Sequence, residues 1–174
     1  MIVMRALGIL IASLACAAVS AGECRGVMRP LLLQSHADEL EVDKALAVCQ
    51  REANAGDPMA AYQLAIASLS VNGRFEPDAA IPMIRDAATA GVPEAQYWLA
   101  WQYEAGPLLA HDTATALGWY QRAAGLNHKL AIARLAEAYE RGELGLAADA
   151  GKALELRARQ ARCARKEQGV RGRS

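Results

Sequence analysis

Apolar residues recur in this chain at the three- and four-residue spacing of a helix face, and the whole pattern then repeats. Residues 60–65 (AAYQLA), 95–100 (AQYWLA) and 131–136 (AIARLA) share one rhythm and stand 35 and then 36 residues apart. Each begins four residues after a turn former: Gly56, Gly91 and Asn127. Ala95, Leu99 and Tyr103 are spaced by four, which stacks them on one helix face. A second apolar stretch follows each motif: residues 80–88 (AIPMIRDAA), 116–124 (ALGWYQRAA) and 153–161 (ALELRARQA). An earlier copy at 45–53 (ALAVCQREA) lacks an obvious matching first helix. A period of this size, built of two helices and two turns, predicts a stacked array of helical hairpins opening on a partial unit. Two-residue alternation is nowhere sustained, so no sheet is expected.

The punctuation agrees with the pattern. Asp112 and Asp149 precede helical stretches and are natural N-caps, accepting bonds from otherwise orphan amides. Pro58 and Pro93 follow the turn residues by two, where the first turn of a helix needs no donor. Pro82 is placed near the start of its helix and should be tolerated there. Gly73, Gly106 and Gly142 mark the ends of the first helices.

The middle copy carries Gly91, Ala95, Leu99, Ala100, Tyr103, Gly106, Asp112, Ala116, Trp119, Tyr120, Ala123 and Ala124 in order. On these positions the chain resembles the Sel-1-like repeat family, a relative of the tetratricopeptide repeats. The third copy keeps Ala131, Leu135, Tyr139, Gly142, Asp149 and Ala153, but Asn127 replaces the opening Gly and Leu156-Arg157 replaces the Trp-Tyr pair. The first copy is the loosest, with Ser68 at the Tyr position and Gly73 two residues late. The resemblance covers about residues 43–163. It implies an all-α αα-hairpin repeat solenoid, a right-handed superhelix of three units (55–90, 91–126 and 127–163) behind capping helices at 22–54, with a basic tail at 164–174.

By analogy with the tetratricopeptide hairpin, one face of each first helix lines a concave groove. That row comprises Met59, Tyr62, Gln63 and Ile66, then Glu94, Tyr97, Trp98, Trp101 and Glu104, then Arg134, Glu137, Glu140 and Arg141. Six of the nine aromatics fall in the middle repeat. Tyr103, Trp119 and Tyr120 occupy positions where the family itself uses aromatics, so core packing accounts for them. Trp98 and Trp101 do not: they align with Gln63 and Ile66 in the first repeat and with Arg134 and Glu137 in the third. Aromatic and Arg residues beside acids are the make-up of a binding hot spot. The competing reading packs both Trp residues between repeats.

The N-terminus is a different kind of segment. Arg5 precedes an apolar and small-residue run from Ala6 to Val19, closed by Ser20-Ala21. This reads as a signal peptide at 1–21 leaving Gly22 as the new terminus. The run is short of the ~20 residues a spanning helix needs, and Ser13 fits poorly with lipidation at Cys16. A periplasmic or secreted chain with no stable membrane insertion follows. In an oxidising space Cys24, Cys49 and Cys163 remain, an odd number. A Cys24–Cys49 bridge would staple the N-terminal cap; Cys24–Cys163, or no bridge, are the alternatives.

The whole chain is formally neutral, yet residues 22–151 hold 10 basic and 17 acidic side chains and residues 152–174 hold 8 basic and 2 acidic. The C-terminal stretch is either a polybasic arm for an anionic polymer or a last helix with a solvated face and a frayed tail. No aromatic interleaves it, which argues against single-stranded nucleic acid. The histidines, His36, His111 and His128, lie in different units without metal-ligand spacing, and no phosphate loop or nucleophile elbow occurs. No cofactor, metal or catalytic residue is indicated. Two functions remain. One is an exported adaptor for a protein or peptide; the resemblance implies roles in envelope regulation, host interaction or toxin immunity. The other is a hydrolase or polymer-binding protein of the cell wall.

Overall fold

The repeating turn is the element that builds the architecture. In a computed structural model describing residues 22–32, 38–70 and 76–171, Gly56, Gly91 and Asn127 all adopt positive φ, at 92°, 95° and 65°. Around each, the same amide is turned back onto the helix just ended. Asp57 N–H donates to the Glu52 carbonyl, Val92 to Ala87 and His128 to Ala123, all at 3.0 Å. This six-to-one bond satisfies carbonyls that a helix end leaves orphaned. Left-handed backbone costs a glycine nothing, and asparagine is among the residues that tolerate it best.

Eight helices result among the described residues, with no strand: α1 (Glu23–Leu32), α2 (Glu39–Asn54), α3 (Pro58–Ser70), α4 (Pro77–Thr89), α5 (Pro93–Ala105), α6 (Thr113–Gly125), α7 (Lys129–Arg141) and α8 (Ala150–Arg171). Pairs α3/α4, α5/α6 and α7/α8 are hairpins, and α1/α2 form the cap. Within each hairpin a second conserved-geometry bond closes the loop. Asp112 N–H donates to the Tyr103 carbonyl at 2.9 Å and Asp149 N–H to Tyr139 at 2.8 Å; Glu76 N–H does so to Ser68 at 3.4 Å. Asp112 Oδ1 then accepts from Ala114 and Thr115 amides, and Asp149 Oδ1 from Lys152. Glu76 makes no such side-chain cap. The first hairpin is thus the loosest in structure as in motif.

Each apolar cluster joins one hairpin to the next, so the fold is an all-α repeat solenoid with nearest-neighbour cores. Cys24, Met28, Ala45, Cys49, Ala60 and Ala67 unite α1, α2 and α3. Ala65, Ala80, Ile84, Ala87, Ala88, Val92, Ala95 and Leu99 unite α3, α4 and α5. Ala100, Ala116, Tyr120, Ala123, Ala131, Ile132 and Leu135 continue into α7. Alanines at the crossings let helix axes approach closely, and a buried Leu99 or Ile84 contributes about 2–3 kcal/mol relative to exposure.

The cap is closed by three different bonds. Cys24 and Cys49 form a disulfide with Cα atoms 4.6 Å apart. The Glu52 side chain, buried in α2, accepts from the amides of Glu23 and Cys24 at 3.1 and 3.2 Å, capping the start of α1 from another helix. Arg25 reaches Glu94 on α5 at 2.9 Å.

Two sequence expectations need correction. Pro82 is not in the first turn: α4 begins at Pro77, so Pro82 lies inside the helix, where it removes the bond to the Asp78 carbonyl. Both residues are on the exposed side. The basic stretch expected as a tail from 164 continues α8 as far as Arg171, a helix of 22 residues against 13 in α7. The segment 1–21 read as a signal peptide, with Cys16, lies outside the described residues together with His36 and Gly73, as does the side chain of Cys163.

Candidate functional site

The first helices α3, α5 and α7 carry the candidate row, and their side chains touch across hairpins. Its middle is an ion-pair lattice. Arg134 of α7 donates through Nε and Nη2 to Glu104 Oε1 of α5, with Nε at 2.9 Å, and through Nη1 to Glu143 Oε2 at 2.7 Å. Tyr120 Oη donates to the other Glu104 oxygen at 2.7 Å. Burial pushes the Glu104 carboxyl up, but the bonds from Arg134 and Tyr120 and the guanidinium charge outweigh it and hold the group below its usual range. Burial and the Glu104 bond raise the Tyr120 phenol strongly. Arg134 is fixed in its charged form, chiefly by the Glu104 bond.

Tyr97 lies beside this lattice. Its ring stacks on His128 with centroids 4.7 Å apart and meets Tyr120 edge-on at 5.8 Å. Burial, then Glu104 and Glu137, raise its phenol. His128 is itself an N-cap: Nδ1 accepts from the Ala131 amide at 3.4 Å. Burial lowers the imidazole below its ordinary value, with Glu94 pulling the other way. The scattered histidine of the sequence is therefore a turn residue of α7 in ring contact with α5.

Glu94 stands at the opposite end of the row. Its Oε1 accepts from Arg25, while Oε2 is buried and receives no hydrogen bond. Tyr62 of α3 lies in its field; burial and then the Glu94 charge raise that phenol strongly. Gln63 Nε2 contacts Met59 Sδ at 3.9 Å within α3. Met59, Tyr62, Ile66 and Trp98 are half-buried against the α3–α5 core. Trp101 is 43% exposed, the most accessible aromatic on α5. The two Trp residues thus part company: Trp98 packs between repeats and Trp101 faces out.

In the third hairpin Glu137 is half-buried and Arg141 exposed, 3.6 Å from Glu143. Glu140 accepts from Arg157 through both oxygens at 3.1 Å, which lowers its carboxyl. Much of the basic character of α8 is likewise used internally. Arg159 donates to the carbonyls of Ala124 and Gly125 and to Asn127 Oδ1 at 2.9 Å, covering the end of α6. Arg162 and Arg165 are exposed.

Residues that sequence reasoning did not place in this row are Arg25, Tyr120, His128 and Glu143. His128 carried a signal, since it follows the turn residue at the position held by Asp57 and Val92 in the other repeats. Arg25 carried none, because its partner is 69 residues away.

No protein-family model matches this chain, and no curated protein does. Among solved structures, the crystal structure of a Sel1 repeat protein from Oxalobacter formigenes is similar over 72% of this chain and 95% of that one, with 32% identity and a TM-score of 0.63.

Proposed function

The chain belongs to the Sel1 repeat family, and from that membership we propose that it is an exported, non-catalytic adaptor holding a protein or peptide partner on the face of its first helices. The observation that carries the reading is Trp101, a large aromatic 43% exposed on α5 and one turn from Trp98. An accessible Trp flanked by a packed one offers a rigid anchor on a pre-formed surface, at low entropic cost to binding. Two acids of the row are not poised for proton transfer near neutral pH: Glu104 and Glu140 are both held below the usual carboxylate range by arginine partners. A wall-polymer role for α8 has less behind it, since Arg157 and Arg159 are engaged inside the array.

The test is capture of a partner from periplasmic extract by the wild-type chain and by Trp101→Ala and Trp98→Ala variants. Trp101→Ala should lose the partner at unchanged melting temperature. Trp98→Ala should lose stability as well, because that ring packs against the α3–α5 core. Capture retained by a folded Trp101→Ala chain would sink the groove reading. Export rests on the 1–21 segment, and no helix among the described residues is long and apolar enough to cross a membrane. Fractionation should recover the chain outside the cytoplasm with its N-terminus at Gly22; a chain found only in the cytoplasm and beginning at Met1 would remove export from the proposal.

A further inference from the structure

The turn between α6 and α7 differs from its two counterparts in a way the fold does not require. Ala55 and Ala90 are the C-caps of α2 and α4, and Leu126 takes that place in α6. Leu126 is 50% exposed. Four residues on, Leu130 is 56% exposed, at the position where Met59 is half-buried and Glu94 pairs with Arg25. Neither leucine belongs to an apolar cluster of the array. Surface leucines scattered singly are ordinary, but two that share one turn form a patch that packing leaves unused.

Helix α8 turns this patch into a corner. Arg159 donates to the Gly125 carbonyl at 3.3 Å and to Asn127 Oδ1 at 2.9 Å, the two residues on either side of Leu126. The helix therefore passes the α6–α7 turn at Arg159, and residues 160–171 continue for about 18 Å beyond it. Because α7 begins at Lys129, this part of α8 has left its hairpin partner behind. Arg162 and Arg165 are exposed on it, and neither forms an ion pair among the described residues. A flat lipid surface fits this shape poorly, since the projecting helix holds the turn away from it. An elongated segment laid into the corner reaches both the leucines and the arginines.

The chain itself carries such a segment. Leu40, in the first turn of α2, is 60% exposed. Glu39, Glu41 and Asp43 around it are exposed as well, and none of the three forms an ion pair among the described residues. We propose that the start of α2 in one copy seats in the corner of another, Leu40 against Leu126 and Leu130 and the acids against Arg162 and Arg165, so that the chain self-associates head to tail. Opposite charge favours this pairing over α8 against α8, which would bring two basic helices together. Two different surfaces meet in such a contact, so it is heterologous and propagates into a ring or a filament. It makes no use of Trp101 and is independent of the groove reading above.

Sedimentation velocity of the disulfide-bonded chain tests it. Association should rise with concentration and weaken as salt is added. Leu40→Asp and Leu126→Asp each change an exposed residue, so both should keep the wild-type melting temperature, and each should weaken association by roughly tenfold or more. Mixed together, the two variants should restore a complex that is one-to-one and no larger, because the Leu40 variant keeps its corner and the Leu126 variant keeps its α2 start. Arg162→Glu with Arg165→Glu should weaken association as well, and Trp101→Ala should leave it unchanged. A chain that is monomeric at every concentration overturns the proposal. So does association lost in Leu126→Asp but kept in Leu40→Asp, which would give the corner to a different surface of the second copy. A mixture of the two variants that stays monomeric overturns the pairing of these two ends. A monomer that binds anionic vesicles through Leu126 also overturns it, and assigns the corner to lipid.

Discussion

Arg134 is the side chain on which coupling between the second and third hairpins can be measured. Replacing it by Met keeps most of the apolar stem in place and removes only the guanidinium. The lost contacts are the two-pronged bond to Glu104 and the 2.7 Å bond to Glu143. A fully buried pair broken on one side costs about 3–5 kcal/mol, and an exposed pair at most about 1. At 20% exposure of both partners the loss should fall between, at about 2 kcal/mol. For a chain of this size that is a fall in melting temperature of about 4–8 °C. The assay is urea unfolding of Arg134→Met, Glu104→Gln and the double variant, with a coupling energy of about 1–2 kcal/mol expected from the cycle. The pH dependence supplies a second handle. The Glu104 carboxyl lies below its ordinary value of 4.5 in the fold, so its contribution is present above the unfolded pKa and is lost as pH falls through the folded one. The gap between wild type and Arg134→Met should therefore narrow as pH falls below the ordinary carboxyl value of 4.5. A variant within about 0.5 kcal/mol of wild type at pH 7, or a gap undiminished at pH 3, would refute the reasoning.

Glycines give an opposed pair of expectations. A Cβ on Gly106 would meet Gln102 Cα at 2.6 Å, so Gly106→Ala should destabilise by about 1–3 kcal/mol, whereas Gly118 in α6 faces open space and Gly118→Ala should stabilise by about 0.5–1 kcal/mol; thermal melts separate the two. Glu52→Gln should cost about 1–3 kcal/mol, read as lost hydrogen-exchange protection in α1 and α2 before the rest of the array. His128 accepts as a neutral ring and burial lowers its pKa, so its share of stability is present above about pH 6.5 and is lost as pH falls through the folded value. Wild type should weaken relative to His128→Asn across that range, and equal slopes in the two chains would remove the cap from the account.

The array was legible in the sequence because its determinants are local and repeated. Gly56, Gly91 and Asn127 each need only the preceding helix end to set their turn, and Asp112 and Asp149 need only the amides that follow them. Pro82 was misplaced because the start of α4 depends on Pro77 and Glu76, where no capping side chain advertises the boundary. The candidate face was legible as a row of positions but not as a set of contacts. Side chains such as Trp98 and Trp101 differ in exposure through neighbours in α3, α4 and α6, and no spacing within α5 encodes that. Arg25 and Glu94 are the extreme case: their meeting depends on how α1 folds back over α3, which the cap sequence alone does not state.

One column of the repeat shows how the ends of the stack differ from its middle. Cys49, Ile84, Tyr120 and Arg157 occupy equivalent positions on the second helices. Ile84 and Tyr120 are buried because a following hairpin covers them. Cys49 is buried too, packed with Met28, Ala60 and Ala67 and bonded to Cys24 of the cap. Arg157 takes the last place and pairs with Glu140, as Tyr120 pairs with Glu104 one repeat earlier. Glu104 needs Arg134 from the next hairpin to complete its coordination, whereas Glu140 is completed within its own. A further hairpin stacked on α8 in the same register would have to bury that Arg157–Glu140 pair, and desolvating two charges costs several kcal/mol with no new partner to offset it. The substitution that breaks the Trp-Tyr motif thus gives α8 a charged outer face, where the middle repeat buries a Tyr.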